Sequence, residues 1–403
     1  MLDTDKVTFV PIENRWSLHA YYTICPWAPD GSGRLLLAGA NLESKSGMVY
    51  ILDSAGRVID QFGEGKLSAA FYHTGYWQTW SPDARFVYYQ SGTPQNPRIT
   101  RRELSSGQEI TLEGDMEGAP PSGEPILSGL MGMLYAAGYS SGKYEPELAP
   151  APFQARDQHG LFEYTFDPPA KRLRISVAEM LERHPDRDRL HQADREVRER
   201  LGAADGLTLM IYCARWAPDG KRFLFYFGNH NVVKSRGEPK LSYVFSSDRE
   251  LSETHLVADL SFGKPGVHWG WQPDGEHLMG YGPDPEDATQ MALVSVRYDG
   301  TDYRRLSRHH SGGHPNISPT DPNLLATDTS SIPGLVEFID LRTDQHRKVL
   351  RIPRVNGDVE PSGRNPFRVC HHPVFSRDGR FLLFNTLPGR YAMPGVVRLE
   401  DVL

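Results

Sequence analysis

Ala217-Pro218-Asp219-Gly220 is a tight-turn sequence, and the run Arg222-Phe223-Leu224-Phe225-Tyr226 that follows it is rich in β-forming residues. This pairing of turn and run recurs along the chain. The other turns of this kind are Ala28-Pro29-Asp30-Gly31, Ser81-Pro82-Asp83-Ala84 and Gln272-Pro273-Asp274-Gly275, with looser copies at Ser318-Pro319-Thr320-Asp321 and Ser376-Arg377-Asp378-Gly379. Such runs, bounded by Gly, Pro and Asp, are typical of short antiparallel strands.

The spacing of the turns predicts the architecture. Their second residues lie 53, 136, 55, 46 and 58 residues apart, and repeats of roughly 40–55 residues with four short strands are typical of propeller blades. The long interval contains a charged segment without β-formers, about 178–201, which predicts a helical insertion, and a degenerate blade near 125–176. We therefore predict an all-β fold: a seven-bladed β-propeller, one domain over 1–403, with a short helical insertion and with Val7-Thr8-Phe9-Val10 closing the last blade.

Composition excludes several classes of function. The net charge of -7 argues against general binding to nucleic acid or an anionic membrane, and three cysteines are no disulfide framework. No apolar stretch approaches the roughly 18 residues of a membrane helix, and the N-terminal residues lack the features of a signal peptide. These observations predict a cytoplasmic protein without a nucleic-acid or membrane partner, and they leave homo-oligomerisation open.

Histidines occupy one repeat position in three successive repeats. The residues five before the second residue of each turn are Ile24, Trp77, Cys213, His268, His314 and His372. Equivalent positions of neighbouring blades face one axis, so the three imidazoles are expected to converge. Imidazole suits Zn, Mn, Fe or Ni, and three histidines with an open position are a common catalytic metal site. Cys370, two residues before His372, is a candidate fourth ligand. The alternative is that these histidines bond to water or to neighbouring strands.

A second group of residues suits proton abstraction next to a carboxylate. His73 lies near the channel mouth, and the third blade contributes Tyr135, Tyr139 and Tyr144, with Arg156 further on. Arg or a metal can neutralise the acid, His or Tyr can take the proton, and Tyr can protonate the leaving oxygen. The alternative is that the tyrosines are sheet formers in a Tyr-rich chain.

Other residues are candidates for contacting a substrate. His19 and His230 are expected to reach the channel, and Arg364 and Arg368 precede the last inner strand, where they suit an acidic sugar. Tyr144 completes this set. The chain has no Walker loop, no dinucleotide-binding Gly motif and no nucleophile elbow.

The chain resembles the seven-bladed propeller polysaccharide lyases, which include oligogalacturonate, ulvan and rhamnose–glucuronate lyases. The resemblance is clearest in three stretches: His19-Ala20-Tyr21-Tyr22, the segment from Ser311 to Thr329 with Gly313-His314-Pro315, and the segment from Arg368 to Gly379 with His371-His372-Pro373. It implies β-elimination next to a uronic acid and a divalent ion (Zn, Mn or Ca) in the propeller.

Carried over to this sequence, the resemblance implies an ion bound by His268, His314 and His372, and a catalytic set of His73, Tyr139 and Arg156. Within this set we predict that Arg156, with help from His73, neutralises the carboxylate and that Tyr139 serves as both base and acid. Cys370 stands where some relatives carry another ligand. The sequence therefore predicts a cytoplasmic lyase acting on uronate-containing oligosaccharides.

Two other classes of function are the alternatives. One is a non-catalytic propeller that binds carbohydrate or protein, although the chain lacks regular Gly-His and Trp-Asp repeat signatures. The other is a hydrolase-associated propeller, for which no nucleophile motif is present.

Overall fold

The computed structural model describes residues 2–41, 43–67, 74–93, 96–129, 154–202, 206–229, 237–261, 267–308, 312–329, 333–353 and 370–403. Over these residues the chain forms seven separate antiparallel sheets, six with four strands and one with three. The sheets follow one another in chain order, as the blades of a propeller do. The predicted all-β, seven-bladed fold is confirmed.

The described strands fall into seven blades. Blade 1 contains β2 (Trp16–Leu18), β3 (Leu35–Asn41), β4 (Ser46–Leu52) and β5 (Val58–Lys66). Blade 2 contains β6 (Thr79–Trp80), β7 (Phe86–Thr93), β8 (Asn96–Glu103) and β9 (Glu109–Glu113), and blade 3 contains β10 (Ile126–Ser128), β11 (Gly160–Phe166) and β12 (Pro169–Ser176). Blade 4 contains β13 (Met210–Trp216), β14 (Arg222–Gly228), β15 (Ser242–Asp248) and β16 (Thr254–Asp259), and blade 5 contains β17 (Val267–Trp271), β18 (His277–Pro283), β19 (Met291–Arg297) and β20 (Arg304–Ser307). Blade 6 contains β21 (Asn316–Ile317), β22 (Leu324–Thr329), β23 (Gly334–Asp340) and β24 (Gln345–Ile352), and blade 7 contains β25 (Val374–Phe375), β26 (Phe381–Thr386), β27 (Met393–Arg398) and the N-terminal β1 (Thr8–Phe9).

The two ends of the chain close the ring in blade 7. Thr8 of β1 pairs with Val396 of β27, and Phe9 pairs with Gly395, in antiparallel register. This is the closing strand that the run 7–10 predicts. Closure of this kind ties the first residues to the last blade.

The repeated turns share one local geometry. The aspartate of each turn accepts the backbone N–H two residues on, at 2.9–3.1 Å, in the turns that contain Asp30, Asp83, Asp219, Asp274 and Asp378. The residue after that aspartate has a positive φ in all five turns, from 56° at Ala84 to 74° at Gly31. Aspartate is favoured because its side chain bonds its own turn, and glycine because it adopts this φ without strain.

The repeat position that carries the histidines has an unusual backbone. Left-handed φ values occur there at four non-glycine residues: Trp77 (53°), Cys213 (52°), His268 (59°) and His372 (49°). In blades 4 and 5 the pairing of the inner strand also shifts register around this residue. A bulge of this kind takes a residue out of the regular alternation of the strand. In these four repeats the side chain at this position therefore leaves the in-and-out alternation of the inner strand.

Helices form the predicted insertion near 178–201. Helix α1 (Val177–Arg183) directly follows the third strand of blade 3 and begins with a capping box between Ser176 and Glu179. Helix α2 (Arg187–Leu201) follows and buries Leu190, Asp194 and Val197. A 3-10 helix (Thr4–Lys6) and the short helix α3 (Leu399–Val402) lie at the chain ends. No helix in the described ranges combines the length and apolar character needed to cross a membrane.

Candidate metal centre

Blades 6 and 7 bring three potential metal ligands together. One ligand atom from each of His314, Cys370 and His372 lies within 4.8 Å of the other two. The imidazole rings of His314 and His372 are 4.2 Å apart and nearly perpendicular. Both histidines are buried, and Cys370 is only 9% exposed. The cluster therefore lies in the interior, where a divalent ion would be shielded from bulk water.

His268 of blade 5 stands beside this cluster. Its ring centroid is 4.1 Å from that of His314, so the three histidines of the repeat position are neighbours. His268 is not in the group whose ligand atoms lie within 4.8 Å of one another. Its Nδ1–H donates to the carbonyl of Gly313 at 2.7 Å, which assigns the lone pair of the neutral ring to Nε2. Burial lowers the pKa of His268 well below its usual value.

Asp328 holds two of the candidate ligands. Its Oδ1 accepts both the backbone N–H and the Nδ1–H of His314, and its Oδ2 accepts the backbone N–H of His372. Burial opposes ionisation of Asp328, but the adjacent His314 and its hydrogen bonds outweigh burial and hold the pKa of that carboxyl below its ordinary value. A carboxylate on Nδ1 fixes the tautomer in which His314 offers Nε2 to a metal.

His371 faces away from the cluster. Its Nδ1–H donates to the carbonyl of Asn385 at 2.8 Å, and the amide of Asn385 donates to the carbonyl of Cys370 at 3.2 Å. Cys370 and His372 therefore share one side of the chain and His371 takes the other. The three residues precede β25 instead of lying within it, and His372 has a left-handed φ of 49°, so this alternation comes from irregular backbone and not from a regular strand.

The segment between β2 and β3 of blade 1 covers the cluster with aromatic rings. The ring of Tyr21 lies 4.6 Å from His372 and 5.8 Å from His314, and the ring of Tyr22 lies 5.3 Å from His314. His19 is buried, and its Nε2–H donates to the carbonyl of His372 at 2.7 Å. Burial lowers the pKa of His19 to about 4. His19, predicted as a substrate contact, thus supports the backbone of the cluster.

A buried arginine lies next to these tyrosines. The guanidinium of Arg215 is 5.3 Å from the ring centre of Tyr21 and 5.9 Å from that of Tyr22, and its Nη1 donates to the carbonyl of Trp269. Among the residues that the structure describes, its Nε has no hydrogen-bond partner, and no carboxylate lies within ion-pair distance of the guanidinium. Burial raises the pKa of nearby Glu117 to about 7. The interior thus contains the positive charge of Arg215, and no carboxylate of the described residues lies within 4.0 Å of it.

Arg156 has partners away from the cluster. Its guanidinium bonds both carboxylate oxygens of Asp194 in α2, at 2.6 and 3.3 Å, and the carbonyl of Leu207 at 3.0 Å. It therefore ties the helical insertion to the start of blade 4. The other predicted catalytic and substrate-binding residues lie outside the described ranges: His73, Tyr139, Tyr144, His230, Arg364 and Arg368.

Several residues of the centre are not among the sequence candidates. Asp328, Tyr21, Tyr22 and Arg215 all lie next to the histidines or to each other. A signal was present for Arg215, because it follows the repeat position of blade 4 by two residues. No comparable pattern marks Asp328, which reaches His314 from β22.

The donor set fits a divalent ion. Two imidazoles and one thiol are the donor types that bind zinc and other first-row transition metals. A tetrahedral ion with bonds of about 2.0–2.3 Å holds ligand atoms roughly 3.5 Å apart, and separations of at most 4.8 Å approach this by small side-chain shifts. The Asp328–His314 contact matches the outer carboxylate that orients metal-binding histidines.

Comparisons with known proteins show the fold. No family model and no curated protein matches this chain. A structure of oligogalacturonate lyase in complex with manganese is 16% identical, with a TM-score of 0.63 over 97% of this chain and 92% of that one. An oligogalacturonate lyase from Vibrio parahaemolyticus is 13% identical, with a TM-score of 0.64 over 99% and 95%. The β-propeller domain of Cps50 (Swd1) from Myceliophteria thermophila is 12% identical, with a TM-score of 0.50 over 95% and 99%.

At sequence identities of 12–16%, these structures show that the chain shares the propeller fold, and they show nothing finer. The predicted resemblance to oligogalacturonate lyases is confirmed at that level. The resemblances to ulvan and rhamnose–glucuronate lyases stay predictions.

Proposed function

We propose that residues 1–403 act as one propeller domain that cleaves oligosaccharides next to a uronic acid by β-elimination, with a divalent ion held inside the propeller. The observation that carries the proposal is the buried group of His314, Cys370 and His372. The fold shared with oligogalacturonate lyases, one of them in complex with manganese, supports the same reaction class. Oligogalacturonate is therefore the first substrate to test.

Elimination next to a uronate needs positive charge at the carboxylate, because the α-proton is too weakly acidic otherwise. A bound divalent ion would supply such a charge. We assign a second positive charge to Arg215, which is buried beside Tyr21 and Tyr22 and whose Nη1 donates to the Trp269 carbonyl. The sequence predicted Arg156 in this role, with help from His73; Arg156 is held by Asp194, so Arg215 is the better-placed candidate.

Proton transfer requires a base and an acid. We assign the base to His268, because its Nδ1–H is fixed on the Gly313 carbonyl and its Nε2 can take a proton at the edge of the metal cluster. His268 is half-buried, whereas His314 and His372 are buried, so it is the most accessible of the three histidines. Tyr139, which the sequence predicted for both base and acid work, is assigned the protonation of the leaving oxygen.

The test is incubation of the purified, metal-loaded protein with oligogalacturonates while the ultraviolet band of the unsaturated uronate product is followed. We expect the band to rise in the wild type, to be lost after removal of metal by a chelator, and to fall strongly in His314→Ala. Cys25→Ser, which changes a thiol outside the metal cluster, is the matched control and should retain activity.

The alternative function, carbohydrate binding without catalysis, predicts a different result. A non-catalytic carbohydrate-binding propeller would bind oligogalacturonate, as measured by calorimetry, without producing the unsaturated band. That result would replace the lyase proposal.

A further inference from the structure

We propose that Cys370 makes this centre a thiolate site that binds zinc in preference to manganese. The inference rests on the metal centre of the proposed function and specifies its ion. When the ion binds, the Cys370 thiol loses its proton to solvent and the sulfur becomes a ligand, so the exchange is one metal ion taken up for one proton released.

The donor chemistry distinguishes the two ions. Manganese prefers carboxylate, carbonyl and water oxygens and stands at the weak end of the affinity series for nitrogen and sulfur sites, whereas zinc binds thiolate and imidazole well. The group here offers two imidazoles and one thiol, and within the described ranges it includes no carboxylate. This set therefore favours zinc.

Asp328 does not supply the missing oxygen ligand. Its two carboxylate oxygens are taken by the backbone N–H and Nδ1–H of His314 and by the backbone N–H of His372. In this position it orients ligands from outside the coordination sphere. A manganese site made from these residues would need its remaining ligands from water or substrate, which gives manganese less protein-derived affinity than zinc.

Hydrogen bonds with Asn385 fix the backbone around Cys370. The Asn385 amide bonds the Cys370 carbonyl, and the Asn385 carbonyl accepts from His371. These bonds hold Cys370 and His372 on the side that faces His314. The other two cysteines, Cys25 and Cys213, are free thiols that do not belong to the group, so they serve as internal controls.

The first experiment is a direct competition for the ion. The metal-free full chain is equilibrated with equal concentrations of zinc and manganese, freed of unbound ions, and analysed for metal content. We expect about one zinc per chain and little manganese. In Cys370→Ser the zinc affinity should fall by more than the roughly 10–100-fold that loss of an outer hydrogen-bond partner causes. Preferential manganese binding by the wild type would overturn the inference.

The second experiment detects the sulfur ligand itself. Cobalt(II) replaces zinc as a spectroscopic probe, and we expect an intense near-ultraviolet sulfur-to-cobalt charge-transfer band in the wild type, in Cys25→Ser and in Cys213→Ser. The band should be absent in Cys370→His, a variant in which a nitrogen ligand can keep the ion bound. Its absence from the wild type, or its persistence in folded, cobalt-bound Cys370→His, would overturn the inference.

These readouts separate the inference from the proposed function. A cobalt–thiolate band and zinc preference without elimination activity would leave the zinc site standing and reject the lyase. Elimination supported by manganese, with no thiolate band, would reject the zinc site and keep the lyase.

Discussion

Asp328 and His314 are joined by two hydrogen bonds to one carboxylate oxygen: the backbone N–H of His314 lies 2.7 Å from Oδ1 and its Nδ1 lies 3.0 Å from the same atom. The other oxygen receives the backbone N–H of His372 at 3.1 Å. A single buried side chain on β22 thus fixes two candidate ligands that belong to different blades. The metal centre depends on the packing of blade 6 against blade 7 as much as on the ligands themselves.

Replacing Asp328 by Asn should lower the zinc affinity by roughly 10–100-fold, the usual effect of losing an outer-shell partner. The amide is neutral, and one of its two polar atoms is a donor, so it cannot accept from both His314 and His372. Zinc titration by calorimetry is the measurement. Asp340→Asn is the control, because Asp340 pairs with the exposed Arg342 in the same blade. Unchanged affinity in a folded Asp328→Asn protein would contradict the positioning role.

Much of this centre follows from the repeat. The turns predict the blades, and a common offset from the turns predicts that His268, His314 and His372 are neighbours, because equivalent residues of adjacent blades take equivalent places. Asp328 could not be predicted, since it contacts His314 through the pairing and packing of β22, which no offset describes. The position of Arg156 depends on the docking of α2, and an insertion has no counterpart in the other repeats to serve as a guide.

The ion pairs of Arg101 should stabilise the junction between blades 2 and 3. Its Nη1 lies 2.9 Å from Oε1 of Glu124 and 2.7 Å from Oδ2 of Asp167, and the arginine is buried. Arg101→Met leaves the partly buried Glu124 without its cation, so we expect a loss of about 1–3 kcal/mol in the free energy of unfolding, between the effects for exposed and for fully buried pairs. The free energy of unfolding of the variant and of the wild type, measured with urea, tests this expectation.

A matched control for this change is Arg57→Gln. The Arg57–Asp53 pair is exposed, and exposed pairs contribute less than about 1 kcal/mol. Equal losses in the two variants would show that burial of the Arg101 pair is unimportant.

His184 should make the protein less stable in mild acid. Its ring is buried at the end of α1 and packs 4.3 Å from Tyr243, and burial lowers the pKa of His184 to about 4. The unfolded chain, with a His pKa near 6.5, binds the proton more readily than the folded chain does. The contribution of His184 to stability is therefore complete above about pH 6.5 and is lost as the pH falls from there towards 4.

The test compares the pH dependence of urea midpoints between pH 7.5 and 5. His184→Asn keeps an acceptor for the backbone N–H of Asp186, which His184 Nδ1 receives at 3.0 Å, but it does not titrate. Its midpoint should fall less steeply than that of the wild type. His191→Gln, which changes an exposed histidine paired with Glu182, should follow the wild type. Parallel pH profiles for wild type and His184→Asn would contradict the prediction.

Tyr139 is expected to matter for turnover and not for folding. Removal of its hydroxyl in Tyr139→Phe should cut turnover of oligogalacturonate by roughly 100-fold or more, the usual contribution of a general acid, with metal content unchanged. Steady-state assays on the ultraviolet product band measure this effect. Tyr135→Phe is the matched control. Near-normal turnover in Tyr139→Phe would move the role to Tyr144 or Tyr135, whichever loses turnover when changed to Phe.

Substitution of His268 by Asn separates two possible roles of this residue, that of metal ligand and that of base. In His268→Asn the side-chain amide can still donate to the Gly313 carbonyl, which His268 Nδ1 contacts at 2.7 Å, whereas the atom equivalent to Nε2 is lost. If His268 is the base, zinc content stays near one per chain and turnover falls by roughly 100-fold or more. We expect this outcome, because His268 lies outside the group of His314, Cys370 and His372. Loss of zinc together with activity would instead make His268 the fourth ligand and return the role of base to Tyr139.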